Sequence, residues 1–112
     1  MSLKRLGVIQ PVPNTATLLA DVNTQYFSSV IVTNVNPNQN ALLTIYIKPS
    51  GATAESQYAY ILYHFPLERS NSVETHRFAM NALDEIWVES TVEQVSFVCE
   101  GIPQQIAAIK YS

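Results

Sequence analysis

The chain is predicted to fold as an all-β antiparallel β-sandwich, Ig-like or jelly-roll-like, of about seven to eight short strands. Three observations carry that prediction. Short runs of β-branched and aromatic residues recur from residue 26 to residue 101, a composition that suits a pleated, half-buried surface. Residues within the runs alternate in polarity, as in 41–48, where Leu43, Ile45 and Ile47 share one face and Thr44 and Tyr46 the other. Turn formers separate the runs at intervals of about 8 to 15 residues, and no stretch of ordinary helix length intervenes.

Taken in order, residues 1–14 read as an N-terminal arm or edge segment, because Pro11 and Pro13 interrupt any continuous ladder. The sandwich domain spans 15–102. Residues 15–22 alternate loosely and supply a first full strand. Residues 26–34 follow, with Phe27 and Ile31 on one face and Val30 and Val32 on the other. Asn36-Pro37-Asn38-Gln39-Asn40 is a turn: proline presets its own φ, and asparagine tolerates the left-handed conformation. The strand at 41–48 ends at Pro49-Ser50-Gly51, with a small-residue loop over 52–56. A strand at 58–65 ends at Pro66, and 68–72 form an exposed polar loop. Residues 73–80 alternate, and Asn81-Ala82-Leu83-Asp84 turns the chain into a short strand at 85–89. Ser90-Thr91 connects tightly to 92–100, where Val95, Phe97 and Cys99 share a face. In the tail at 103–112, Ile106 and Ile109 have helical spacing, while Ala107, Ile109 and Tyr111 alternate. Such a tail closes an edge of its own sheet or reaches a neighbour.

At 112 residues the chain is one domain, able to bury roughly 65% of its unfolded surface without disulfides or metal. Charged residues are only 13% of it, against about 25% in an average protein. That shortage favours a chain that spends its life packed against others. The net charge is −3 and the six basic residues are scattered, with Lys4-Arg5 the one adjacent pair. Phosphate-backbone binding therefore has no footprint, and no nucleic-acid partner is expected. Cys99, the single cysteine, permits no internal disulfide and reads as a small buried thiol rather than a nucleophile. Neither a signal-peptide apolar region nor a run of about 20 apolar residues is visible. The expectation is a protein made in a cytoplasm, with no membrane partner.

Strand 58–65 is apolar on both faces. Regular alternation puts Ala59, Ile61, Tyr63 and Phe65 on one side and Tyr58, Tyr60 and Leu62 on the other. A small antiparallel domain ordinarily buries one face and wets the other, so the second apolar face points to another protein surface. The interface candidates are Tyr46, Tyr58, Tyr60 and Leu62, together with Ile106 and Ile109 of the tail. Inward packing accounts for Trp87. His76 shares a strand face with Glu74, but zinc wants three or four ligands, so no metal is expected. Asp84, Glu85, Glu89, Glu93 and Glu100 cluster around the last hairpin and read as solvated carboxylates rather than a catalytic pair. Three glycines leave no phosphate loop, and no nucleophile–base order is present. The chain is accordingly expected to carry no catalytic residue and no cofactor. Tyrosine and tryptophan also stack on sugars, which keeps a small carbohydrate-binding module as the alternative from a different class.

Several motifs then carry a family likeness: the opening Leu6-Gly7-Val8-Ile9-Gln10-Pro11, then Asn14-Thr15-Ala16-Thr17-Leu18-Leu19, and the strand end Ser28-Ser29-Val30-Ile31-Val32-Thr33-Asn34. Ala82-Leu83-Asp84-Glu85-Ile86-Trp87-Val88, Val95-Ser96-Phe97 and Gly101 complete the set. With these, about nine tenths of the chain resembles small β-sandwich virion proteins of tailed bacteriophages, especially those infecting cyanobacteria. The resemblance implies a non-enzymatic structural role, foremost a capsid decoration or cement protein on the outer head surface. It also implies self-association into a homo-oligomer, the major capsid protein or other virion proteins as partners, and a place in the virion after assembly in the host cytoplasm. A neck, tail or fibre-attachment ring is the other location it allows. No catalytic residue carries over, since the family pattern has none.

Overall fold

The computed structural model describes residues 3–104. Within them, two antiparallel sheets pack together as an all-β sandwich of nine strands. These are β1 (Lys4–Ile9), β2 (Thr17–Asp21), β3 (Tyr26–Asn34), β4 (Ala41–Lys48), β5 (Ala59–Leu67), β6 (Ser72–Glu74), β7 (Phe78–Met80), β8 (Glu85–Ser90) and β9 (Val95–Pro103). One sheet runs β1-β9-β3, with β6 and β7 both paired to the far edge of β3; the other runs β2-β8-β4-β5. A 3-10 turn at Glu55–Gln57 precedes β5.

The alternation read from the sequence is what builds the core. Val30 and Val32 lie opposite Cys99 and Phe97 in one sheet, and Ile45 and Ile47 opposite Val88 and Ile86 in the other. All eight are buried, so the inward faces of the two sheets meet in one apolar layer. The run at 73–80 departs from a single strand. Thr75 takes both backbone valences of Val30, its N–H donating to the Val30 carbonyl at 3.0 Å and its hydroxyl accepting the Val30 N–H at 3.0 Å. The side chain substitutes for a ladder bond there, leaving two three-residue strands on either side of Thr75, His76 and Arg77.

Buried amides tie the β3–β4 turn to the rest. The Asn34 side-chain amide donates to the carbonyls of Gln39 (3.0 Å) and Leu67 (3.2 Å), and its oxygen accepts the Asn36 N–H at 3.0 Å. Asn36 in turn accepts from the N–H groups of Asn38 and Gln39 at 2.9 and 3.1 Å. The end of β5 is thereby fixed beside the end of β3. Asp84 is a correction to the solvated carboxylate expected from the sequence. It is buried, and its carboxylate accepts the N–H groups of Asn81 (2.8 Å) and Ser50 (3.1 Å). An acceptor-only group with two backbone donors is a turn-holding device.

The two long sides of the sandwich differ. On one, β1 approaches β2 so closely that a Cβ on Gly7 would collide with the Leu19 carbonyl oxygen, and only glycine permits that closure. On the other, β5 and the β6–β7 pair stand apart and leave an apolar groove of about 450 Å³.

Candidate interaction surface

Two β-bulges in β5 decide which of its side chains face outward. Phe65 pairs with Leu43, Leu62 with Ile45 and Tyr60 with Tyr46, so the register slips by one residue twice along the strand. His64, with φ of 49°, lies at the first slip, in the left-handed conformation that bulges often use. Each extra residue reverses the alternation. Leu62 therefore does not join the outward face expected of it: it lies opposite buried Ile45 and packs, half-buried, against the core with Ile61. Tyr60 stays outward, and Tyr63, 64% exposed, joins it.

Trp87 is the second correction. Ile86 and Val88 on either side of it are fully buried, so strand parity turns Trp87 outward, where it is half-buried. Its Cα partners are Leu18 on β2 and Tyr46 on β4, and Tyr46 pairs on with Tyr60 on β5. A row Leu18–Trp87–Tyr46–Tyr60 thus crosses all four strands of one sheet on its outer face.

The tyrosines pack on one another. Tyr58 stacks on Tyr46 with ring centroids 4.8 Å apart and planes within 4°. Tyr60 leans on Tyr46 at 5.4 Å and meets Tyr63 edge-on at 5.2 Å; Tyr63 stacks on His64 at 4.1 Å. Such pairs hold aromatic rings rigid at little entropic cost. The structure thus brings the candidates Tyr46, Tyr58 and Tyr60 together, and sets beside them Leu18, Trp87, Tyr63 and His64, which the sequence reading did not include. The signal for Trp87 was present in the Ile86–Val88 alternation; that for Tyr63 was hidden by the bulges. Ile106 and Ile109 lie outside the described residues.

Charged groups border the row. The Trp87 indole N–H donates to Glu85 at 2.9 Å, and the Lys48 ammonium sits 6.0 Å from the Trp87 ring centroid, a cation–π geometry. Glu85 pairs in register with Lys48 and Asp21, and Glu89 with Thr44. Burial, followed by the neighbouring Tyr58 and Tyr60, pushes the Tyr46 phenol above its ordinary pKa. Burial and then Glu55 do the same for Tyr60. Both phenols are neutral hydrogen-bonding groups at neutral pH.

The remaining surface offers little chemistry. Among the described residues, no group of three or more His, Cys, Asp or Glu side chains stands close enough to hold a metal ion. A recess of about 540 Å³ at one end of the sandwich is bordered by Asp21, Asn23 and Glu85, with no nucleophile or histidine beside the two acids. Burial pushes the Cys99 thiol up to about 12 and keeps it protonated. No helix among the described residues is long and apolar enough to cross a membrane. No protein-family model matches the chain, and no curated protein matches it in sequence.

Proposed function

We propose that the chain is a non-enzymatic structural protein of a tailed-phage virion, a capsid decoration or cement protein that docks on the outer head surface. The observation that carries this reading is the aromatic row on the outer face of the β2-β8-β4-β5 sheet. Stable protein interfaces are enriched in tyrosine and tryptophan at their centres, with charged residues at the rim. Leu18, Trp87, Tyr46 and Tyr60, bordered by Glu85, Glu89 and Lys48, have that arrangement. The low overall charge and the resemblance to small virion sandwiches point the same way. Docking is apolar burial of about 800 Å² per partner, with the major capsid protein or another virion protein as the partner and homo-oligomers as the docking unit.

The outward Trp87 raises a second reading, a glycan platform. Sugars stack on open ring faces, whereas the Tyr46 and Tyr58 faces cover each other and Lys48 overlies Trp87. With those faces covered, the row suits a protein partner better. Tyr60→Asp tests the choice. The variant is expected to fold, since Tyr60 is 43% exposed, and to lose co-sedimentation with phage heads lacking the protein. A Tyr60→Asp variant that still decorates heads refutes the assignment of this face. Copy number in purified virions, compared with the major capsid protein, separates a cement role from a single neck or tail ring.

A further inference from the structure

We propose that the outer face of the β1-β9-β3 sheet is a self-association surface, covered by a second copy of this chain about a two-fold axis running along β9 and β3. Self-association through this face rests on, and deepens, the oligomeric docking unit proposed above. Head docking and dimer formation then use opposite faces of the sandwich.

Buried Phe97 and Cys99 on β9, and buried Val30 and Val32 on β3, fix which side chains point away from the core. Strand parity turns Val98, Glu100 and Ile102 outward on β9, and Phe27, Ile31 and Thr33 outward on β3. Register sorts the outward side chains into cross-strand rows. Ile102 and Phe27 make an apolar row, and Arg5, Glu100 and Ser29 a polar one. Val8, Val98 and Ile31 make a second apolar row that ends on Glu74 of β6, and Ser96 and Thr33 a hydroxyl row. Val8 is 54% and Phe27 43% exposed, so both apolar rows reach the surface.

The rows are complementary to themselves. A two-fold axis parallel to the strands, between β9 and β3, exchanges the two edges of the sheet and keeps each row level. Val98 then lies over Ile31 of the second copy, Ile102 over its Phe27, Glu100 over its Ser29 and Ser96 over its Thr33. Arg5, at the β1 edge, faces the β6 edge of the second copy. Glu74 stands there two positions along the strand, about 7 Å away, within reach of two long side chains. Apolar rows meet apolar rows and a base meets an acid, as an isologous contact requires. A two-fold axis across the strands, through the Val98 row, would instead set Glu74 on Glu74. Nine-residue β3 and β9, with a strand on either flank, make a face of about 600 Å² in projection. Side-chain relief raises the accessible area toward the roughly 800 Å² per partner of a stable dimer.

The test is the mass of the full chain in solution, by sedimentation equilibrium over a concentration series. The wild-type chain is expected to be a dimer, and Phe27→Glu a folded monomer. Arg5→Glu is expected to weaken the dimer at least about tenfold, since symmetry counts each change twice. Adding Glu74→Arg to Arg5→Glu is expected to restore it to within about threefold of wild type, the two exchanges reversing both pairs together. Tyr60→Asp, on the opposite face, is expected to leave the dimer intact while losing head decoration, so the two assignments fail separately. A wild-type chain that stays monomeric to about 100 μM overturns the proposal. So does a dimer that survives Phe27→Glu, one that Tyr60→Asp dissolves, or a double variant no tighter than Arg5→Glu alone.

Discussion

Asn34→Ala is the substitution whose cost the structure defines best. Asn34 is fully buried at the end of β3, and its side chain makes three hydrogen bonds, two donated to the Gln39 and Leu67 carbonyls and one accepted from the Asn36 N–H. At about 1 kcal/mol net each, their loss totals about 3 kcal/mol, and stranding the Leu67 carbonyl adds to it. For a domain of this size each kcal/mol shifts Tm by about 4–8 °C, so Tm is expected to fall by at least about 12 °C. Urea unfolding followed by the fluorescence of Trp87, the single tryptophan, measures the difference. Thr33→Ala, a half-buried outward position on the same strand, serves as control and is expected to change stability by less than about 0.5 kcal/mol. Asn34→Asp keeps the acceptor for Asn36 but sets a carboxylate against two carbonyls, and is expected to be worse than alanine. A loss below about 1 kcal/mol for Asn34→Ala, or an aspartate variant more stable than the alanine one, would show that these three hydrogen bonds do not hold the end of β5 in place.

Three further outcomes follow from the same geometry. Gly7→Ala forces β1 away from the Leu19 carbonyl and is expected to cost about 1–3 kcal/mol in urea unfolding; an unchanged midpoint would mean that the closure is not tight. Leu62→Ala, which removes a core contact, is expected to destabilise by about 2 kcal/mol, and Tyr60→Ala, on the exposed row, by about 1 kcal/mol or less; the reverse order would restore the regular alternation and remove the bulges. Cys99 is expected to resist alkylation at pH 8 in the folded protein and to react at once in urea. Its thiol pKa is raised from 9.0 to about 12, so above pH 9 the unfolded chain binds fewer protons than the folded one. Stability therefore falls between pH 9 and about 12, and unfolding midpoints that rise over that window would contradict the assignment.

How much of this was legible beforehand depended on local regularity. The faces of β4 and β9 were readable because each strand keeps an uninterrupted period of two, and Leu43, Ile45, Val95 and Phe97 landed in the core as their parity requires. β5 was not, because nothing in Tyr58-Ala59-Tyr60-Ile61-Leu62-Tyr63-His64-Phe65 announces a bulge by composition. No glycine marks the left-handed residue, and the histidine that adopts it is an ordinary strand neighbour. Asp84 misled for a different reason: a carboxylate in a turn is usually solvated, and only the fold brings the Ser50 N–H from 34 positions away to meet it. Thr75 likewise ends a strand by a bond to Val30 that local sequence does not encode.

For the docking role we propose, the bulges also bear on why this outer face is favoured over the opposite one. The β1-β9-β3 sheet carries its own outward apolar row, Val8–Val98–Ile31, but it is aliphatic and lies two positions along β9 from the Arg5–Glu100 pairing. On the four-stranded sheet, regular pleating would have spread the aromatic rings of β5 over both sides of the strand and left Leu62 outward. Two slips of one residue instead send Leu62 toward the core side and gather Tyr60 and Tyr63 beside Tyr46. Rings that brace one another in this way have little rotamer freedom left to lose on association, which lowers one of the principal costs of forming an interface. For the docking role we propose, a face assembled by breaking strand regularity twice is pre-organised, and the geometry of that docking depends on the register of β5. That register is held at one end by Asn34 through the Leu67 carbonyl, so stability at the buried amide and the arrangement of the exposed aromatic row are linked through a single strand.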